Sequence, residues 1–254
     1  AGLGRPAATP RARRANTSRW LLHALKGLLR EDPAMVGKFV VRLVPAQCLV
    51  VAGSVSYDIA LGERGCVAVT VRDDRIHFDV LSGPRSLDAV DFRIEGDLAA
   101  LGRLVLYGSL RRRFSRRVAR VRGDRRAFAA LGWLVREPLG LHELCAAGLR
   151  LDPELTFLLV AYMIDASWTA GERFTVGHQA PGDAGRVYLF VRDGARPRVS
   201  RQPPIDPVAT TIRCPDEQLL ALLAGGSEGE IQVSGEAKPI ALLSDWIARA
   251  QRDS

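Results

Sequence analysis

Leu29-Arg30-Glu31-Asp32-Pro33 is written again as Leu149-Arg150-Leu151-Asp152-Pro153, and Val71-Arg72-Asp73 again as Val191-Arg192-Asp193, both at an offset of 120 residues. Weaker echoes keep that register: Val40 with Val160, Ala46 with Ala166, Gly65 with Gly185, Ala89 with Ala209 and Arg93 with Arg213. The offset then shortens. Val121-Arg122-Gly123-Asp124 answers to Val233-Ser234-Gly235-Glu236 at 112 and Trp133 to Trp246 at 113, so the first copy carries about eight extra residues, expected around Arg111–Arg117. A unit that spans 29–133 and returns at 149–246 is far longer than the roughly 20–50-residue period of a solenoid. It is a duplicated domain.

Working outward, the 254 residues divide into a basic arm at 1–18, a first domain at 19–136 and a second at 137–252. The arm combines Pro6 and Pro10 with Arg5, Arg11, Arg13 and Arg14 and has no apolar period, the composition of disorder. Arg13-Arg14 ahead of Trp20-Leu21-Leu22 has the outline of an export leader, but His23 and Lys26 interrupt it and no small-residue cleavage site follows. With 47% hydrophobic and 25% charged residues, and no apolar run of membrane-spanning length, the chain reads as a soluble protein of the cytoplasm. Cys48, Cys66, Cys145 and Cys214 are widely spaced in apolar surroundings and read as reduced, buried thiols.

Each copy follows one order. Trp20, Leu21, Ala24, Leu25, Leu28 and Leu29 make a helical stripe, as do Leu141, Leu144, Cys145 and Leu149. Asp32-Pro33 and Asp152-Pro153 then open second helices, about 33–46 and 153–167: the carboxylate accepts free amide hydrogens and proline suits the first turn. The breadth of their apolar surface predicts burial on more than one side. Strands are expected at Val55–Leu61, Cys66–Arg72, Arg75–Leu81 and Ala89–Ile94, and at Phe174–His178, Arg186–Arg192, Arg196–Ser200 and Ala209–Cys214, with hairpin turns at Asp73-Asp74 and Asp193-Gly194. A helix (Leu98–Tyr107; Asp216–Ala224), a short strand (Val118–Arg122; Glu230–Ser234) and a closing helix complete the unit.

The ending Gln218–Gly226, Val233-Ser234-Gly235-Glu236 and Pro239–Ile247 resembles the sterol carrier protein type-2-like superfamily, and the first copy repeats it more faintly in Leu101–Tyr107, Val121–Asp124 and Phe128–Trp133. That resemblance implies an α+β fold of tandem units, each a mainly antiparallel five-stranded sheet with helices packed on one face, enclosing an apolar tunnel for a lipid or another apolar small molecule. It implies no catalytic residue. Walls of the tunnel are expected in the second copy, at Leu219, Leu222, Leu223, Ile240, Leu243, Trp246 and Ile247. Packing of these residues on the sheet is the competing account. The first copy departs from the pattern at Leu106-Tyr107, where glycines belong, and in its basic insertion.

The charge is lopsided. Residues 1–136 hold 25 Lys/Arg against 12 Asp/Glu, while 137–254 hold 11 against 16. Ten arginines against one acid fall within 103–126, and Arg111, Arg112, Arg113, Arg116, Arg117 and Arg120 are the candidates for binding a polyanion. No phosphate loop, nucleophile elbow or metal-ligand spacing occurs: Gly225-Gly226-Ser227-Glu228-Gly229 follows a helix instead of opening one, and His23, His77, His142 and His178 are isolated. No cofactor, metal or catalytic residue is expected. The leading expectation is a non-enzymatic carrier of a lipid or apolar small molecule. The alternative is an interaction protein with filled cores, whose basic insertion binds an anionic membrane, an acidic protein or, less favoured for want of aromatics, nucleic acid. An enzyme working inside the tunnel is the third reading.

Overall fold

The computed structural model describes residues 19–51, 54–62, 65–72, 75–107, 119–128, 139–182, 185–226 and 230–252. The first copy contains α1 (Arg19–Glu31), α2 (Pro33–Val51), β1 (Val55–Ala60), β2 (Cys66–Arg72), β3 (Arg75–Leu81), β4 (Phe92–Gly96), α3 (Leu98–Tyr107) and β5 (Ala119–Gly123). The second contains α4 (Leu141–Ala146), α5 (Pro153–Met163), β6 (Phe174–Gln179), β7 (Arg186–Arg192), β8 (Ala195–Ser200), β9 (Thr210–Arg213), α6 (Asp216–Leu223), β10 (Gln232–Gly235) and α7 (Lys238–Arg252).

Two five-stranded sheets result, ordered β3-β2-β1-β4-β5 and β10-β9-β6-β7-β8. Strand for strand this is one topology used twice. In each sheet the central pair (β1 with β4, β6 with β9) is parallel and the other pairings are antiparallel. Helices cover one face of each: α2 and α3 the first, α5 and α7 the second. Alternation explains the choice of face, since Tyr57 and Ile59 of β1, like Val176 and His178 of β6, point to the helices.

The local signals act as the sequence requires. Asp32 Oδ1 accepts from Met35 N–H at 3.0 Å and Asp152 Oδ1 from Leu155 N–H at 3.0 Å, each ahead of a first-turn proline. Gly123 (φ +92°) and Gly235 (φ +98°) turn the chain out of the last strands; a Cβ at Gly235 would lie 2.2 Å from Ala209 O. The next amides, of Asp124 and Glu236, donate to Asp91 O and Ala209 O. These paired bonds align Asp91 with Ala209, an offset of 118 and not 120. Two of the first copy's extra residues therefore precede β4 and six follow α3, so the Ala89/Ala209 and Arg93/Arg213 echoes are coincidences.

The second helices differ from expectation. α2 runs on to Val51 with Pro45 inside it, whereas α5 stops at Met163 because Ile164 is extended and Asp165 caps a new 3₁₀ turn, Ala166–Thr169, through Ser167 N–H at 2.8 Å. α2 and α3 cross so closely that a Cβ on Gly37 would sit 1.9 Å from Leu98 O, and one on Gly102 2.9 Å from Pro33 O. Only glycine fits there.

On the far face of the first sheet lies a polar network. Asp58 is fully buried; its Oδ1 accepts from Arg85 Nε at 2.8 Å and its Oδ2 from Arg85 N–H at 2.7 Å. The Arg85 guanidinium also reaches Tyr57 O at 3.0 Å and Thr70 Oγ1 at 3.3 Å, and Arg93 Nη2 donates to Arg85 O. In the second sheet Gly177 takes the place of Asp58, and the Tyr188 ring lies 3.4 Å from where its Cβ would be. One copy seals this face with an ion pair, the other with an aromatic ring.

Candidate functional site

The two copies meet through their first helices, and the exchange is reciprocal: α1 packs on α5 of the second copy, and α4 packs on α2 of the first. A single apolar core runs through both. Because α2 matches α5, and β3 matches β8, at the offset of 120, the two contacts are related by a local twofold. They are not built alike.

At the α1–α5 contact Gly27 faces the Tyr162 ring closely enough that a Cβ would lie 2.7 Å from Cδ1. Arg196 of β8 stacks on the Tyr162 ring, 4.8 Å from its centroid, and its Nη1 meets Glu31 Oε1 at 3.2 Å. Burial, and then a hydrogen bond with Glu31, push the Tyr162 phenol up to about 12. This contact is closed by one large side chain.

At the other contact Arg42 stands where Tyr162 stands, Ile76 where Arg196 stands and Ala147 where Gly27 stands. A long cation cannot be packed under a neighbouring helix as a phenol ring can, because its charged end must stay in water. Arg42 instead lies over Phe78, 5.1 Å from the centroid. The space left is a cleft of about 780 Å³ lined by Arg42, Arg75, Ile76, His77 and Phe78 from the first copy and Glu143, Ala146, Ala147, Gly148 and Arg150 from the second. Its floor is apolar and its rim cationic.

The rim charges are available. Arg42, Arg75 and Arg150 make no salt bridge among the described residues. Arg150 is steadied by donating Nη1 to Cys145 O at 2.7 Å and Leu149 O at 3.0 Å. The single carboxylate of the lining, Glu143, already accepts from Gly140 N–H at 2.6 Å. Such a site can hold a molecule with an apolar body and a polar end. No group of three metal-ligating side chains occurs among the described residues.

The expected tunnel residues lie elsewhere. Leu219, Leu223, Leu243, Trp246 and Ile247 are buried in the common core, Trp246 stacked on Phe174 at 6.2 Å, while Leu222 and Ile240 are half-buried against it. Of the expected polyanion site, Arg111, Arg112, Arg113, Arg116 and Arg117 lie outside the described residues, as do Trp133 and the Asp73-Asp74 turn. Arg120 is exposed on β5 opposite Glu95, whose carboxylate is engaged by Arg122 at 3.0 Å. Cys66, Cys145 and Cys214 are buried free thiols, with burial pushing Cys145 and Cys214 up to about 11. His178 is a satisfied core residue: burial lowers its pKa, so the neutral ring donates Nε2–H to Cys214 O at 3.0 Å. Sequence reasoning passed over Arg42, Ile76, Phe78 and Arg150. The available signal was a charge at position 42 inside an apolar helix whose copy has tyrosine.

No family model matches the chain, and no curated protein matches it. Among solved structures it is similar to a "UbiJ-SCP2 Ubiquinone synthesis protein", at 16% identity over 35% of this chain and 75% of that one, TM-score 0.26. It is similar also to the inverting sec-alkylsulfatase Pisa1 from Pseudomonas sp. (14% identity, 59% of this chain and 23% of that one, TM-score 0.31) and to the MycE methyltransferase of the mycinamycin biosynthetic pathway (19%, 54% and 44%, TM-score 0.23). The chain thus spans less than half the length of the two enzymes. At these scores the likeness adds nothing to what the strand order itself shows. No helix among the described residues is long and apolar enough to cross a membrane.

Proposed function

We propose that this protein is a non-enzymatic, sterol-carrier-like binder of a lipid-type small molecule, which it holds in the open cleft between its two copies. The observation that carries the reading is the pairing of Ile76, Phe78, Ala146 and Ala147 with an exposed rim in a cleft of about 780 Å³, within the roughly 300–1,000 Å³ of small-molecule sites. Guanidinium groups beside half-buried apolar side chains are suited to holding an amphiphile, which supports binding as the activity.

Native mass spectrometry of the full chain purified without detergent tests this, beside uptake of a fluorescent fatty acid. The unmodified protein should take up the probe, and Ala147→Phe, which fills the cleft from a half-buried position, should abolish uptake while leaving the melting temperature close to that of the parent. Leu223→Arg is unsuitable because it places a charge in the core. Uptake that survives Ala147→Phe would move the ligand to the helices of the second copy. No uptake at all would favour an interaction protein that works through its basic segment.

A further inference from the structure

We infer that the cleft selects single-chain amphiphiles with an anionic head group, a carboxylate or a phosphate, bound by Arg42 and Arg150 with the chain laid on Ile76 and Phe78. This inference rests on the binding reading above and adds the chemistry of the ligand's polar end.

Three observations converge on an anion. First, Tyr162 stands at the closed contact where Arg42 stands at the open one, so this guanidinium is found only where the cleft is found, and the closed contact's own Arg196 is spent on Tyr162 and Glu31. Second, the groups are presented for use. Arg42 lies over the Phe78 ring, 5.1 Å from the centroid, and has no carboxylate partner among the described residues, so its N–H donors remain for an oxyanion. Arg150 spends one nitrogen on two carbonyls and has no acceptor for its other donors among the described residues. Third, the lining sets three guanidinium groups against one carboxylate, Glu143, so its net charge is positive. The apolar floor argues for a small amphiphile over a polyanion, since a nucleic acid backbone has nothing to lay on Ile76, Ala146 and Ala147.

Isothermal titration of the full chain with dodecanoate, dodecyl phosphate, dodecanol and dodecyltrimethylammonium, each below its micelle concentration, separates head from tail. Both anions should bind roughly tenfold or more tightly than dodecanol, the size expected of a few solvent-screened guanidinium contacts acting together, and the cation should bind least. Arg42→Met keeps an apolar stem over Phe78 and should weaken the anions severalfold relative to dodecanol, whereas Arg75→Ser, on the opposite face of β3, should leave the preference for anions nearly intact. A preference for dodecanoate over dodecyl phosphate would assign the carboxylate, and the reverse the phosphate. Equal binding of dodecanol and the anions would overturn the head-group assignment and leave the binding reading standing. Binding of none of the four would overturn both.

Discussion

Removing the Asp58 carboxylate should cost the first copy about 3 kcal/mol. Asp58→Ala leaves the Arg85 guanidinium, whose side chain is 26% exposed, facing the neutral acceptors Tyr57 O, Val69 O and Thr70 Oγ1, and orphans the Arg85 amide. Breaking a buried ion pair from one side costs about 3–5 kcal/mol, and the partial exposure of Arg85 with its three neutral acceptors places this case at the lower end. Urea denaturation followed by circular dichroism measures the loss. Asp58→Leu combined with Arg85→Met should recover most of it, because an apolar pair of similar bulk carries no stranded charge. A single-variant loss below about 1 kcal/mol, or a double variant no better than Asp58→Ala, would refute the reasoning.

Gly37→Ala should destabilise by about 3 kcal/mol or more, since its new methyl would stand 1.9 Å from Leu98 O and two helix backbones must part to admit it; the shift in urea midpoint measures this. Because burial lowers the His178 pKa beneath its ordinary 6.5, the unfolded chain binds the proton more readily. Stability should be complete above about pH 6.5 and fall as pH drops from there toward the lowered folded value, and His178→Gln should flatten that slope between pH 7.5 and 5.5. Iodoacetamide at pH 8 should spare Cys66, Cys145 and Cys214 in the native protein and label them in urea, as peptide mapping will show, since burial raises all three thiols.

The fold was legible because its punctuation is local. Asp-Pro pairs, Gly-acid turns and runs of alternating β-branched residues mark helix starts, strand exits and strands without reference to anything distant, and the strands fell within a few residues of expectation. Repetition added a second reading of each signal. The site was not legible in the same way. Ile76 belongs to an edge strand and Ala147 to the end of a short helix, and only the reciprocal packing of α1 and α4, a contact between residues far apart in sequence, brings such positions together. The tunnel residues illustrate the same limit: a helical stripe of Leu219, Leu223, Leu243 and Ile247 establishes burial, and does not distinguish a ligand from a neighbouring helix.

The local twofold has a further meaning for how such a cleft can exist. Were these units two identical subunits, every substitution would act at both contacts at once: opening one would open the other, and the pair would lose the Tyr162, Arg196 and Glu31 cluster that holds it together. Joined in one chain, the copies are released from that constraint. One contact is free to serve as the permanent bond and the other to stay accessible, so the tandem arrangement divides between its two halves tasks that a symmetric dimer must perform with a single surface.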